Sequence, residues 1–166
     1  LNSAGQHQAY IDYVKERYGS LDGLLRKVDL DEAWDTGYLP ELAFAYRAIG
    51  NEESFRRLLS LMREAIDVDR ANGGDNYFQD FDEALYFALS GDEEATVAAI
   101  ETALDGGFGA ATALDSYIFE SLPGNAEFEA QRKRLAERVD AERAKLGMPP
   151  YRPIANTNEE RPVFTH

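Results

Sequence analysis

The amino-acid sequence predicts an all-α fold of about eight helices in four antiparallel pairs, and three observations predict it. Apolar residues recur at helical spacing along most of the chain, as Leu21, Leu24, Leu25 and Val28 do at i, i+3, i+4 and i+7. Alternating strand-like runs bounded by hairpin dipeptides are absent from the sequence. A glycine-containing turn signature recurs four times. Paired helices without a sheet are therefore expected.

Eight segments with this apolar periodicity follow one another along the chain and are the predicted helices. They cover residues 10–18, 21–28, 39–49, 55–68, 81–88, 96–104, 113–122 and 128–146. The turn signatures fall between the two members of each pair and begin at Gly19, Gly50, Gly91 and Gly124. Each predicted pair is thus a helical hairpin.

The turn signature has a physical explanation, which Gly50-Asn51-Glu52-Glu53 illustrates. Glycine accepts the left-handed conformation that ends one helix, and the next residue is of a type that caps the following helix. An acid one turn into that helix lies favourably near its positive end. The four signatures therefore predict where one helix stops and the next begins.

Two middle units of the chain also match each other, at a constant offset of 41 residues. A small residue, an aromatic residue and the turn glycine recur in both units: Ala43, Tyr46 and Gly50 in one, Ala84, Phe87 and Gly91 in the other. A small residue lets two helices approach closely, and the aromatic ring fills the space beside them. The match indicates a repeated helical hairpin.

Residues Leu39, Leu42, Ala43, Tyr46 and Gly50 stand where the tetratricopeptide repeat has its large, Leu, small, aromatic and turn-glycine positions. The chain resembles that family over about residues 35–148, and 81–107 looks like the last repeats of helical regions in bacterial signalling proteins. In such proteins the repeats often follow a cyclase, kinase or winged-helix domain. The resemblance implies a helical-repeat solenoid in residues 1–147; an unrelated helical bundle is the alternative.

Composition limits the possible functions of this 166-residue chain. Apolar residues make up 44% and charged residues 29%, and no apolar run is long enough to span a bilayer. The net charge of −14 would repel phosphate backbones and anionic lipids. We therefore expect neither a nucleic-acid nor a membrane partner. A cytoplasmic location is expected, with a mature secreted protein as the alternative.

Charge is distributed in blocks. Residues 1–70 carry 9 basic and 13 acidic residues, 71–131 carry 13 acidic and no basic ones, and 132–166 carry 8 basic and 5 acidic ones. The middle block cannot balance its own charge, so other segments, cations or a partner must do so. One hypothesis is that Arg132, Lys133, Arg134 and Arg138 balance it within the chain. The other is a basic partner.

Residues that could support catalysis or metal binding are few. The chain has no cysteine, and its two histidines, His7 and His166, lie near opposite ends. A triad, a histidine-rich metal site or a cysteine-ligated metal is therefore not predicted, and we expect no cofactor and no metal. Gly106-Gly107-Phe108-Gly109 follows a helix and lacks the Lys and Ser/Thr of a phosphate-binding loop. It is predicted to terminate a helix.

The resemblance implies that a concave groove, lined by the first helix of each pair, binds a protein or peptide. Carrying those positions over gives one set of groove residues from each middle unit: Pro40, Phe44 and Arg47, then Phe78, Phe81, Leu85 and Ala88. Apolar side chains beside acids predict a partner segment that is basic with apolar anchors. The alternative for each residue is core or inter-repeat packing.

Two other functions remain open. The domain could be a dimerisation or spacer element that has no peptide ligand, or a hydrolase that uses paired carboxylates, which only the number of acids supports. Because the chain begins at Leu1, we expect it to be a piece of a longer protein. The proline-containing tail, residues 148–166, is predicted to be extended and held to a helix through Tyr151, Ile154, Val163 or Phe164.

Overall fold

A computed structural model describes residues 5–29, 37–73 and 77–151 of the chain. The described residues form α-helices and two short 3₁₀ helices and contain no strand, so the predicted all-α class is confirmed. In chain order the α-helices are α1 (His7–Tyr18), α2 (Leu21–Lys27), α3 (Tyr38–Ala48), α4 (Glu52–Ala71), α5 (Tyr77–Ser90), α6 (Glu93–Gly106) and α7 (Ala126–Lys145). The 3₁₀ helices, Ala113–Asp115 and Tyr117–Phe119, lie between α6 and α7.

The four turn glycines lie where the signature predicts them. Gly19, Gly50, Gly91 and Gly124 have φ angles of 80°, 74°, 84° and 95°, the left-handed region that glycine enters without steric cost. The first three each separate two α-helices, and Gly124 lies just before α7. The predicted turn positions are therefore confirmed.

Side chains cap the helices that follow these glycines. The oxygens of Ser20, Asn51 and Asp92 accept hydrogen bonds from the backbone N–H three residues further on, at 3.0–3.1 Å. Asn125 accepts two such bonds, from the N–H groups of Glu127 and Phe128. Each bond satisfies an amide that the first turn of a helix leaves unpaired, which fixes the start of the helix.

One predicted helix, over 113–122, is not an α-helix. In its place the chain forms the two 3₁₀ helices. Ser116 lies between them and has an extended backbone conformation, with a ψ angle of 139°. The Ser116 hydroxyl accepts a hydrogen bond from the N–H of Ile118, a local bond that competes with helix continuation. The last predicted pair thus contains one α-helix, α7, and an irregular partner.

The helices pack through one hydrophobic core. Helices α1 and α2, α3 and α4, and α5 and α6 contact their chain neighbours, and α1–α3, α3–α5, α4–α5 and α6–α7 contacts connect these units. Fully buried residues from successive helices include Leu24, Leu42, Leu58, Ala84 and Ile100. None of the helices in the described ranges has both the length and the apolar composition needed to cross a membrane.

Candidate functional site

The residues expected to line a groove are largely covered by a segment of the same chain, residues 108–122, which we call the covering segment. Its Tyr117 ring lies 4.7 Å from the ring of Phe44 on α3, centroid to centroid. Its Phe108 ring stacks on Phe81 of α5 at 4.2 Å, and Phe119 approaches Phe81 at 6.0 Å. The covering segment therefore lies across α3 and α5.

Three other expected groove residues also contact their own chain. Pro40 and Ala88 are buried. The Arg47 guanidinium donates a hydrogen bond to the backbone carbonyl of Leu89 at 2.9 Å and lies over the Phe44 ring. These contacts join α3 to α5. Pro40, Phe44 and Ala88 pack within the chain and do not line an open groove.

The number of buried apolar side chains indicates that the covering segment is part of the folded core. Five of its apolar side chains are buried: Phe108, Leu114, Ile118, Phe119 and Leu122. Burying such a side chain stabilises the fold by about 1.5–3 kcal/mol, so the five together contribute on the order of 10 kcal/mol. The conformational entropy of ordering the segment offsets part of this gross contribution. The segment nevertheless contributes buried apolar surface to the core, as the helices do.

Tyr10 of α1 is buried close to Tyr117 of the covering segment. Burial, together with the nearby Glu41 carboxylate, raises the pKa of the Tyr10 phenol far above its ordinary value. Tyr117 of the covering segment and Tyr38 of α3 add to the effect. The hydroxyl of Tyr38 is hydrogen-bonded to Tyr18, and this bond, with burial, raises the pKa of Tyr38 to about 12. Both phenols are neutral at physiological pH.

Of the expected groove residues, Phe78 is the one that solvent reaches best. Its side chain is 59% exposed, and its ring lies 4.5 Å from Tyr77 and 6.1 Å from Phe108. Phe81 and Leu85 are half-buried. The function of these three residues in partner binding stays a prediction.

An open groove of about 600 Å³ lies on another face of the molecule, between α4 and α5. We call it the α4–α5 groove. Its walls are seven residues of α4 and one of α5: Leu59, Ser60, Arg63, Glu64, Asp67, Val68, Ala71 and Tyr86. Val68 is 53% exposed, so this large apolar side chain is open to solvent. Apolar surface is thus accessible between charged groups.

Arg63 organises the charges of the α4–α5 groove. Its guanidinium donates hydrogen bonds to the Asp67 carboxylate, the shorter of them at 2.5 Å, and lies 5.5 Å from the centroid of the Tyr86 ring. The hydrogen bond from Arg63 lowers the pKa of Asp67, so this carboxylate is ionised at neutral pH. Glu64, the other acid of the groove, is exposed. Two carboxylates thus border the apolar surface.

A buried carboxylate joins the two walls of the groove. Glu83 of α5 is buried and accepts hydrogen bonds from Arg70 at 2.7 Å and from Arg63 at 3.4 Å, both on α4. The buried side chain of Gln79 adds a hydrogen bond to the carbonyl of Ile66 at 3.4 Å. Buried charges are tolerated when they are paired in this way. The groove is therefore built on a fixed α4–α5 contact.

The basic residues of α7 partly balance the acidic block at 71–131. Arg132 pairs with Asp115 at 2.7 Å and Arg134 pairs with Asp105. Arg138 donates to the carbonyls of Leu104 and Phe108, near the C-terminal end of α6. Three of the four residues named in the charge hypothesis therefore reach the acidic block, which weakens the hypothesis that a basic partner binds there. The fourth, Lys133, pairs with Glu137 on its own helix.

The start of the tail is held against α7. The backbone N–H of Tyr151 donates a hydrogen bond to Asp140, and its hydroxyl donates one to Asp115 at 3.2 Å. Burial and the Asp115 carboxylate raise the pKa of Tyr151. Tyr151 is thus docked on a helix as expected. The other tail anchors, Ile154, Val163 and Phe164, lie outside the described residues.

Within residues 5–29, 37–73 and 77–151, no cluster of three or more His, Asp or Glu side chains has the geometry that a metal ion needs. His7 packs edge-on against Phe44 with ring centroids 5.4 Å apart. His166 lies outside the described ranges.

No family model, no curated protein and no solved structure matches this chain.

The α4–α5 groove was not predicted from the sequence, although the sequence contains one signal for it. The apolar stripe of α4 runs through Phe55, Leu58, Met62 and Ile66 at three- or four-residue steps. Val68 falls two residues beyond Ile66 and outside that stripe, and an apolar residue in such a position faces away from the core. The neighbouring Tyr86 carries no such signal, because its helix is apolar on several sides.

Proposed function

We propose that the chain is a non-catalytic protein-interaction module in which the α4–α5 groove is the docking surface. The observation that carries this proposal is the exposed Val68 side chain, which lines an open groove together with Tyr86 and two carboxylates. Exposed apolar surface with a charged rim is typical of sites that bind another protein.

The rigidity of the groove supports the proposal. The Glu83 ion pairs fix α4 against α5, so a partner would meet a preformed surface and little ordering would oppose binding. The acids at its rim, Glu64 and Asp67, favour a partner segment that is basic and has an apolar anchor. That chemistry agrees with the partner that we expected from the sequence, but at a different surface.

Hydrolysis by paired carboxylates is less well supported by this groove. A general acid needs a carboxyl group whose pKa is raised towards neutrality. The Arg63 guanidinium instead holds the pKa of Asp67 below its ordinary value. Binding is therefore the function that the groove geometry favours.

The wider setting of the module is part of the same proposal. We propose a tetratricopeptide-like helical repeat within a larger bacterial signalling or regulatory protein in the cytoplasm. The repeated glycine and cap positions support it, because the same turn geometry recurs at Gly19, Gly50 and Gly91. An all-helical fold is compatible with such a repeat.

A site-specific photocrosslinker tests the docking surface. A photoreactive phenylalanine analogue at Val68, in the full-length parent protein and in its native cells, is expected to crosslink a defined protein. The analogue at Ala141, an exposed position of α7, serves as the matched control. In the protein that carries the analogue at Val68, the additional substitution Tyr86→Ala should abolish the crosslink. Equal labelling from both positions, or labelling that Tyr86→Ala leaves unchanged, would contradict the proposal.

A further inference from the structure

The C-terminal end of α7 presents a second exposed apolar surface, which has a basic neighbour. Leu146 is 76% exposed and Met148 is 45% exposed, the former among the most exposed large apolar side chains of the described residues. Lys145 precedes them, and its side chain is exposed while it pairs with Glu142. We call residues 145–148 the α7 end.

The α7 end is an ordered turn. Gly147 has a φ angle of 69°, and the N–H of Met148 donates to the carbonyl of Arg143 at 2.9 Å, a hydrogen-bonded turn that closes the helix. The Arg143 guanidinium also donates to the carbonyl of Pro149 at 2.7 Å. Two large apolar side chains are thus held in water on a fixed backbone. A surface of this kind favours binding, because little conformational entropy is lost when it is covered.

We propose that the α4–α5 groove of one copy of this chain receives the α7 end of a second copy. The inference rests on the proposed function and identifies the partner. The two surfaces are complementary, since the groove places Val68 near the exposed carboxylate of Glu64, and the α7 end places Leu146 beside the exposed ammonium group of Lys145, which pairs with Glu142 within its own helix. Among the described residues, Val68, Leu146 and Met148 are exposed, so the groove and the α7 end do not occupy each other within one molecule.

The geometry of this contact sets the form of the assembly. The groove and the α7 end are different surfaces, so the contact is head-to-tail: a pair of bound copies still offers one free groove and one free end. Copies should therefore add stepwise as concentration rises, unless a ring closes. A four-residue contact buries much less than the roughly 1,200 Å² of a stable interface. We therefore expect weak association, with a dissociation constant of about 0.1–1 mM.

Sedimentation equilibrium of the purified chain, from about 10 μM to 1 mM, measures this association. The average mass of the wild type is expected to rise with concentration. Val68→Ser and Leu146→Ser should each lower the association constant about tenfold, because each removes a buried apolar side chain. Tyr13→Ser, at another exposed apolar residue, is the matched control and should have no effect. Circular dichroism verifies that every variant keeps its helices.

A charge exchange tests the orientation of the contact. Glu64→Lys and Lys145→Glu should each weaken self-association about tenfold, whereas an equimolar mixture of the two should associate within about threefold of the wild type, because opposite charges then meet again. Glu101→Lys and Lys133→Glu change the net charge equally at other exposed positions. Mixing these two controls should bring no such recovery.

Specific results would overturn the inference. A wild type that stays monomeric to 1 mM, serine variants that associate like the wild type, or a mixture without recovery would each refute it. If the wild type is monomeric while the Val68 crosslink to another protein persists, the proposed function stands and the second copy is excluded as the partner. If both the association and the crosslink are missing, both proposals fail.

Discussion

The α4–α5 groove and the region beneath the covering segment differ in whether other residues of the chain cover their apolar side chains. Both are surfaces of α5, and both bring aromatic rings together with a neighbouring helix. The rings of Phe108 and Tyr117 pack on Phe81 and Phe44, whereas Val68 in the groove stays 53% exposed. The comparison teaches that an apolar helix face becomes a binding surface only if its own chain leaves it open.

The largest expected effect tests whether the covering segment is part of the core. Phe119 is 1% exposed and packs against Phe81 and Phe128. Phe119→Ala should lower the free energy of unfolding by about 3–5 kcal/mol, because it removes a buried ring and leaves a cavity. Urea unfolding measures this loss. Phe78→Ala, at the exposed ring, is the control, for which less than about 1 kcal/mol is expected. Equal losses for the two variants would mean that the covering segment is not part of the core.

The next effect concerns the wall of the open groove. Glu83→Gln keeps the shape of the side chain but removes the charge that pairs with Arg63 and Arg70. Breaking a fully buried pair costs about 3–5 kcal/mol, and partial exposure of both arginines reduces the expected loss to about 1–2 kcal/mol. Chemical denaturation checks this value against Glu64→Gln, an exposed neighbour. A cost as small as that of Glu64→Gln would mean that the ion pairs do not hold the groove together.

A further effect is expected at alkaline pH around Tyr10 and Tyr38. The pKa of Tyr38 is raised to about 12 and that of Tyr10 lies higher still, so the folded chain keeps these protons at a pH where the unfolded chain has lost them. Stability should therefore be full below about pH 10, the ordinary pKa of tyrosine, and should fall as the pH rises towards 12. Urea midpoints at pH 9 and pH 11 measure the fall. Tyr38→Phe should make it smaller, and an unchanged fall would show that Tyr38 is not its source.

No effect at all is expected from chelation. Thermal unfolding curves with and without EDTA should coincide, since a metal that binds only the folded chain would raise its melting temperature. A melting temperature that falls by several degrees in EDTA would contradict this prediction.

Much of the fold could be predicted from sequence because local interactions determine it. The glycine and cap residues at 19–20, 50–51 and 91–92 act through backbone bonds within a few residues, and the structure has those bonds. The 113–122 segment was predicted less well. Its apolar spacing is compatible with a helix, but Ser116 forms a local bond that no periodicity reveals. The backbone conformation of residues 113–122 therefore depends on how this segment packs across α3 and α5.

The candidate site could be predicted only in part. Phe44 and Phe81 were recognised as residues of one face, but the segment that covers them is 27 or more residues away in sequence. The α4–α5 groove depends on Arg63 and Glu83, which lie on different helices and meet only after folding. Contacts of this kind form only in the tertiary structure. The pattern of a single sequence does not reveal which distant residues will meet.

The turn glycines impose a stereochemical constraint without a volume constraint. At Gly19, Gly50, Gly91 and Gly124 an added Cβ would meet no atom within 4 Å, although φ is positive at all four positions. A side chain would therefore fit in the space around each turn, and only the handedness of an L-residue opposes it. Asn and Asp enter this conformation more readily than other side chains. Evolutionary drift at these positions should then favour Asn and Asp, so the glycine signature could disappear from relatives that keep the same turns.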